Sequence, residues 1–169
     1  RENYRPYDAE LLDRQVHDAV IERVRQQVEA GIDIVTDGEM SKVSFLGYVK
    51  DRLGGFEVEM GQSRMAPSWQ VEVDDFPEYY ADYFKKYSST VAPLRRIICR
   101  GPITYIGQEL LQTDIDNLKA ATADYDVADV FMPSTGPSGF GRNEYYSSHE
   151  EYLHEVAEAV AAKFAMVAD

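Results

Sequence analysis

AGIDIVTDGE, residues 30–39, joins a helix, a strand and a polar turn within a short stretch. Gly31 suits the position just past a helix end, because glycine tolerates the left-handed conformation common there. The β-branched run over residues 32–36 is typical of a buried strand. A glycine flanked by Asp37 and Glu39 then indicates a turn. A helix joined to a strand by one glycine predicts an α/β unit.

The segment before this stretch is predicted to form a helix over residues 7–30. One apolar residue recurs every four positions, which places the set on one helical face. These residues are Leu12, Val16, Val20, Val24 and Val28. Asp8 suits the start of the helix as its N-terminal cap.

The same alternation continues downstream. Apolar patterns predict a short helix over residues 44–53 closed by Gly54 and Gly55, strands over 95–99 and 127–132, and helices over 108–121 and after 148. Ser147 and Ser148 precede two glutamates and offer two capping boxes for the last helix. Repeated α/β alternation predicts a parallel sheet.

Residues 56–92 interrupt this alternation and are predicted to be an insertion. Period-two patterns at 56–60 and 70–73 indicate a two-stranded hairpin or another excursion from the main architecture. Tyrosines at helical spacing over residues 77–87 predict a half-buried helix face.

Length and composition restrict the classes of function. The chain has 169 residues, enough for one domain but short of the roughly 250 residues of a complete (β/α)₈ barrel. A net charge of −13 argues against nucleic acid or an anionic membrane as the main partner. One cysteine permits no internal disulfide, so we expect a cytoplasmic setting.

Candidate ligand-binding residues follow the predicted strands, where parallel α/β folds place their sites. Asp37 and Glu39 suit binding of an amine, acid/base work or part of a metal site, and equally suit capping of the next segment. His149 and His154 point to different helix faces and are poor co-ligands for a metal. His17 lies on the first helix with no partner in the sequence pattern and is predicted to be a surface residue. Cys99 is predicted to be core filler. These patterns alone predict no reaction.

Four ordered motifs resemble the cobalamin-independent methionine synthase family, in its C-terminal catalytic barrel and the short stand-alone relatives of that barrel. They are AGIDIVTDGE (residues 30–39), FLGYVKDRLGGF (45–56), GPITY (101–105) and RNEYY (142–146). The implied fold is a partial (β/α)₈ TIM barrel, an α/β class, with about strands two to four, their helices and the insertion in a single domain over residues 1–169.

The resemblance implies zinc-dependent transfer of a methyl group to a thiol. The family activity is 5-methyltetrahydropteroyltriglutamate–homocysteine S-methyltransferase, in methionine biosynthesis. Glu39 matches the family glutamate that contacts the homocysteine amino acid moiety, and Asp37 stands where the classical synthases carry histidine. Thr104 and Asn143 lie in matching motifs and are predicted, with these two, to bind substrate. Catalytic residues are not assigned.

The family's zinc ligands are a His-x-Cys pair, a carboxylate and a second cysteine, all expected beyond Asp169. We therefore expect the chain to be the N-terminal part of the enzyme, without metal ligands and inactive alone, with uncovered edges that favour self-association. Gln108 stands where the classical enzymes stack an aromatic ring on folate, which disfavours folate as methyl donor. The alternatives are epoxyalkane–coenzyme M transferase-like thiol alkylation, or a non-catalytic α/β binding module.

Overall fold

A computed structural model describes residues 6–42, 47, 50–59, 67–87, 96–137 and 141–168. The helices are α1 (Ala9–Glu29), α2 (Pro67–Asp75), α3 (Pro77–Tyr87), α4 (Gln108–Thr122) and α5 (His149–Ala168). The strands are β1 (Ile34–Thr36), β2 (Leu53–Glu59), β3 (Arg96–Tyr105), β4 (Asp129–Phe131) and β5 (Arg142–Asn143). The chain is thus a mixed α/β structure, as its sequence predicts.

The strands form two separate sheets. β1 and β4 pair in parallel, with Val35 opposite Val130. β3 lies at the centre of the other sheet, antiparallel to β2 and parallel to β5. The expectation of one parallel sheet is therefore wrong, because β3 pairs with β2 and β5 and leaves β1 to pair directly with β4. The described strands do not close into a barrel.

Each sheet has its own apolar core. Valines of α1 and the buried side of α4 cover Val35 on β1, with Val20, Val24, Leu118 and Ala121 buried there. α5 packs on the three-stranded sheet, where the buried residues are Leu53, Cys99, Ile103, Tyr152, Val156 and Ala159. The period-four valine stripe of α1 thus faces the core, as predicted.

The predicted ends of α1 are confirmed. The Asp8 side chain accepts a hydrogen bond from the Leu11 N–H (2.9 Å) and caps the helix. Gly31 has φ +79°, the left-handed value expected beyond the other end. At α5, the Glu151 N–H donates to Ser148 Oγ (3.0 Å) while the Glu151 carboxylate accepts from the Ser147 N–H (3.0 Å). Ser148 therefore caps α5 as the second predicted box requires, and the Glu151 carboxylate reaches back to the residue before the cap.

Two local predictions are wrong. Residues 70–73 belong to helix α2, because Pro67 suits a first helical turn and Gln70 bonds Asp74 one turn later (2.9 Å). No hairpin joins them to β2, which pairs with β3 instead. Gly54 and Gly55 lie inside β2: the register shifts between Gly54 and Phe56, and Gly55 has φ +85°, as a glycine bulge requires.

The predicted helix over residues 44–53 falls largely outside the described ranges, and Leu53 itself begins β2. Among the helices that the structure describes, none has the length and apolar character needed to cross a membrane.

Candidate functional site

The turn that follows β1 carries the two carboxylates singled out from the sequence. Gly38 has φ +65° and Glu39 has φ +56°, so two consecutive residues adopt the left-handed conformation. A Cβ on Gly38 would lie 3.0 Å from Cγ of Arg23 on α1, so glycine also permits close packing on that helix. For Glu39 this backbone costs about 1–2 kcal/mol. Backbone strain of this kind concentrates at functional sites.

Asp37 is buried in this turn, with 2% of its side chain exposed. Its Oδ1 accepts hydrogen bonds from the Glu39 N–H (2.9 Å) and the Thr36 hydroxyl (3.1 Å). Among the described residues, no donor hydrogen-bonds its Oδ2, and the buried Ser41 Oγ likewise has no partner. Asp37 therefore organises the turn with one oxygen and leaves the other unsatisfied, a condition that calls for a bound group or a functional reason.

Lys42 neutralises much of the charge of the turn, and sequence reasoning missed it. Its ammonium, on a side chain that is 7% exposed, donates to Glu39 Oε1 (3.3 Å) and to the Pro133 carbonyl after β4 (3.1 Å). It lies 4.0 Å from Asp37 Oδ2. The spacing of Glu39 and Lys42, three residues apart, was a visible signal, whereas the Pro133 contact depends on the pairing of β1 with β4.

Glu39 differs from Asp37 in its exposure, which is 40% for the side chain. Lys42 holds one of its oxygens, so the carboxylate is anchored and still reaches solvent. An anchored, exposed carboxylate can accept a charge-assisted hydrogen bond from a ligand ammonium group.

Gln27 on α1 fixes the strand that leads into this turn. Its side-chain amide donates to the Thr36 carbonyl (2.9 Å) and accepts from the Thr36 N–H (3.1 Å). The amide thus takes the place of a neighbouring strand at the edge of β1. This contact positions Asp37, and the periodicity of α1 gave no indication of it.

Asn143 lies in β5 and organises the turn that follows. Its Oδ1 accepts from the N–H groups of Tyr145 (3.1 Å) and Tyr146 (2.9 Å), and its Nδ2 donates to the carbonyls of Tyr146 (2.9 Å) and Ser148 (3.4 Å). All donors and acceptors of the amide are therefore engaged within the turn. A role in substrate binding stays a prediction.

Thr104 lies inside β3, opposite Gly54, rather than in a loop after the strand. Asn143 pairs with Cys99, five residues back along β3, which corresponds to about 17 Å of strand. Within the described ranges, the structure brings Asp37 and Glu39 together on one sheet and places Thr104 and Asn143 on the other. Gln108 begins α4 and donates to the Tyr105 carbonyl (3.0 Å).

The remaining candidates are structural. Cys99 is fully buried, as predicted, and burial raises the pKa of its thiol. His17, predicted to be a surface residue, is half-buried instead, because its Nδ1 lies 3.0 Å from Asn117 Oδ1 where α1 and α4 pack together. In the part of the chain that the structure describes, no three His, Cys, Asp or Glu side chains are grouped to hold a metal ion.

Comparison with known proteins supports the resemblance found in the motifs. No family model matches the chain. The chain is 28% identical over 154 residues to the methionine synthase of Sulfolobus acidocaldarius, covering 89% of this chain and 37% of that protein.

The structure is similar to a B12-independent methionine synthase of Shewanella sp. W3-18-1, solved in complex with selenomethionine. The TM-score is 0.58 at 18% identity, and the match covers 94% of this chain and 39% of the other. The sequence comparison confirms the resemblance to methionine synthases, and the structural comparison shows a fold similar to that of a B12-independent enzyme. The chain spans less than two fifths of the length of each protein.

Proposed function

We propose that this chain is part of an enzyme that transfers a methyl group to the thiol of homocysteine, and that Glu39 binds the ammonium group of that substrate. The similarity to methionine synthases supports methyl transfer. One observation carries the role of Glu39: its carboxylate is anchored by Lys42 yet exposed, beside a buried Asp37 oxygen that lacks a hydrogen bond among the described residues.

In the proposed reaction, the substrate thiol loses its proton to solvent, and the resulting thiolate sulfur attacks the methyl carbon of a donor. The S–C bond forms as the bond between donor and methyl breaks, and the donor leaves with that electron pair. Glu39 and Asp37 take no part in bond making; they bind and orient the amino acid portion of the thiol. Orientation of this kind lowers the entropic part of the barrier.

Zinc would supply activation of the thiol by lowering its pKa. The described residues do not form a site for it, and we place its ligands beyond Asp169. The proposal assigns β1 and β4, which pair in parallel, to a partial (β/α)₈ barrel that the rest of the enzyme completes, whereas β3 lies in the other sheet.

Binding of two thiols to the 169-residue chain tests the role of Glu39. Isothermal titration calorimetry would compare homocysteine with 4-mercaptobutanoate, which lacks only the amino group. We expect homocysteine to bind more tightly to the wild type, and Glu39→Gln to weaken homocysteine about tenfold without affecting the analogue.

Glu109→Gln is the matched control, because Glu109 is an exposed carboxylate on α4. Equal binding of the two thiols, or an equal loss in both Gln variants, would contradict the proposal. Sequence encoded after Asp169 supplies an independent test, since the proposal requires a His-x-Cys pair there.

A second candidate is thiol alkylation with coenzyme M. One observation favours it: Gln108 occupies the position of the folate-stacking aromatic residue and bonds the Tyr105 carbonyl. Coenzyme M carries a sulfonate and no amine, so its binding should not depend on Glu39. Tighter binding of coenzyme M than of homocysteine would favour this candidate.

A further inference from the structure

Lys42 is unusual among the charged groups of the site because it is buried between two carboxylates and a backbone carbonyl. Its ammonium contacts Glu39 Oε1, the Pro133 carbonyl and, at 4.0 Å, Asp37 Oδ2. A buried ammonium costs free energy unless such acceptors surround it. The three groups come from the turn after β1 and from the end of β4, so Lys42 also joins the two strand ends.

We propose that Lys42 is a positioning residue: its ammonium holds Glu39 Oε1, so that the other carboxylate oxygen is presented to the ammonium group of the substrate. This inference rests on the proposed function and extends it from Glu39 to the residue that orients it. Lys42 is not a catalytic residue, because its buried ammonium acts through Glu39.

Charge balance explains why the site needs an internal cation. Asp37 and Glu39 lie two residues apart, and Asp37 is held in place by two hydrogen bonds to Oδ1. With Lys42 present, the three groups carry an excess of one negative charge, which still attracts a ligand cation. Without Lys42, like charges in a poorly solvated turn repel each other. Only Glu39 can relieve this repulsion, by turning its exposed side chain towards solvent.

Lys42→Met tests the proposal, because methionine keeps much of the length of lysine and removes the charge. Lys119→Met, at an exposed position of α4, is the control for loss of one positive charge. We expect Lys42→Met to weaken homocysteine binding about three- to tenfold, the cost of freeing a glutamate side chain. Binding of 4-mercaptobutanoate should stay unchanged, and Lys42→Arg should restore part of the lost affinity.

Two NMR measurements report on the site besides the affinity, and the second needs only the wild type. Three-bond NMR couplings of Glu39 should report one χ1 rotamer in the wild type and averaging in Lys42→Met. In the wild type, the Lys42 ¹⁵Nζ resonance should shift when homocysteine is added and stay in place with 4-mercaptobutanoate. If Lys42→Met does not fold, this titration still decides the question.

The outcomes separate two failures. If the wild type binds no homocysteine, the proposed function fails, and this inference fails with it. If homocysteine binds and depends on Glu39, but Lys42→Met leaves the Glu39 rotamer and the affinity unchanged, only the role of Lys42 is overturned. Tighter homocysteine binding by Lys42→Met would mean that Lys42 competes with the ligand for Glu39, which also overturns it. An equal loss for both thiols would indicate a purely structural role.

Discussion

The turn after β1 and the turn after β5 contain similar polar side chains and use them in opposite ways. After β5, Asn143 engages its whole amide in four hydrogen bonds to nearby backbone. After β1, Asp37 engages one oxygen, and the described chain leaves Asp37 Oδ2 and Ser41 Oγ without a hydrogen bond.

This difference separates a turn that stabilises the fold from a turn that can accept a ligand. A fully bonded amide has no capacity left for a substrate unless the turn opens. Buried oxygens without partners cost free energy, and they persist where a function uses them. Substitutions in the β5 turn should therefore lower the stability of the fold. Substitutions in the β1 turn should cost less stability and should weaken ligand binding instead.

Glycine substitutions at Gly38, in the turn after β1, and at Gly141, directly before β5, should show the largest contrast. A Cβ on Gly141 (φ +111°) would lie 2.4 Å from the Ile97 carbonyl oxygen, whereas one on Gly38 would meet the flexible Arg23 side chain at 3.0 Å. We expect Gly141→Ala to lower the free energy of unfolding by about 3–4 kcal/mol and Gly38→Ala by about 1–2 kcal/mol, measured by urea denaturation.

Gly31→Ala is the control for the backbone conformation alone, since its Cβ would have no neighbour within 4 Å at φ +79°. Its cost should be about 1 kcal/mol. Equal costs for Gly141→Ala and Gly31→Ala would show that the close approach to Ile97 does not limit the fold.

Asn143→Ala should give the next largest effect. Asn143 is half-buried, and loss of its four hydrogen bonds should lower the free energy of unfolding by about 2 kcal/mol. Asn143→Asp keeps the acceptor for Tyr145 and Tyr146 and should cost about half as much. Homocysteine affinity of the folded variants, measured by calorimetry, tests the predicted substrate role of Asn143. An unchanged affinity in Asn143→Asp would assign its amide to the turn alone, and a loss would place Asn143 at the ligand.

Low pH should lower the stability of the β5 turn through Glu144. This effect should be smaller than those of the glycine and Asn143 substitutions. The hydrogen bond from Arg100 (3.0 Å) holds the pKa of Glu144 below its ordinary value of 4.5. A carboxylate whose pKa is lower in the folded state than in the unfolded state stabilises the fold at pH values above its unfolded pKa. This contribution is lost as the pH falls through the folded pKa.

Glu144→Gln should therefore flatten the pH dependence of unfolding below about pH 4.5 and change it little at pH 7. Thermal unfolding followed over pH 3–7 would measure this. An unchanged slope in Glu144→Gln would show that the Arg100 contact is not retained in solution.

Much of the local structure could be predicted because neighbours in the sequence determine it. Asp8 and Ser148 cap helices through residues three positions away, and the valine stripe of α1 follows from helical periodicity. The pattern at residues 70–73 misled because alternating Val and Glu fit a strand and a short helix equally well. Gly54 and Gly55 misled because glycine suits both a helix end and a bulge.

The candidate site was predictable only in part, because neighbours in the sequence determine only some of its features. Asp37-Gly38-Glu39 stands out as a polar turn after an apolar run. The function of Asn143 depends on which backbone groups the turn brings to its amide, and that is a property of the folded loop.

The sequence alone was sufficient for the α/β class, the ends of α1, the buried Cys99 and the resemblance to cobalamin-independent methionine synthases. These rest on periodicity, capping residues and ordered motifs, all of which are local. Only the tertiary structure shows that β1 pairs with β4 and that the Gln27 amide hydrogen-bonds the free edge of β1. It also shows that Lys42 is buried against the Pro133 carbonyl. Each of these contacts joins groups that become neighbours only on folding, so their burial and their hydrogen-bond partners are set by the packing of the whole chain.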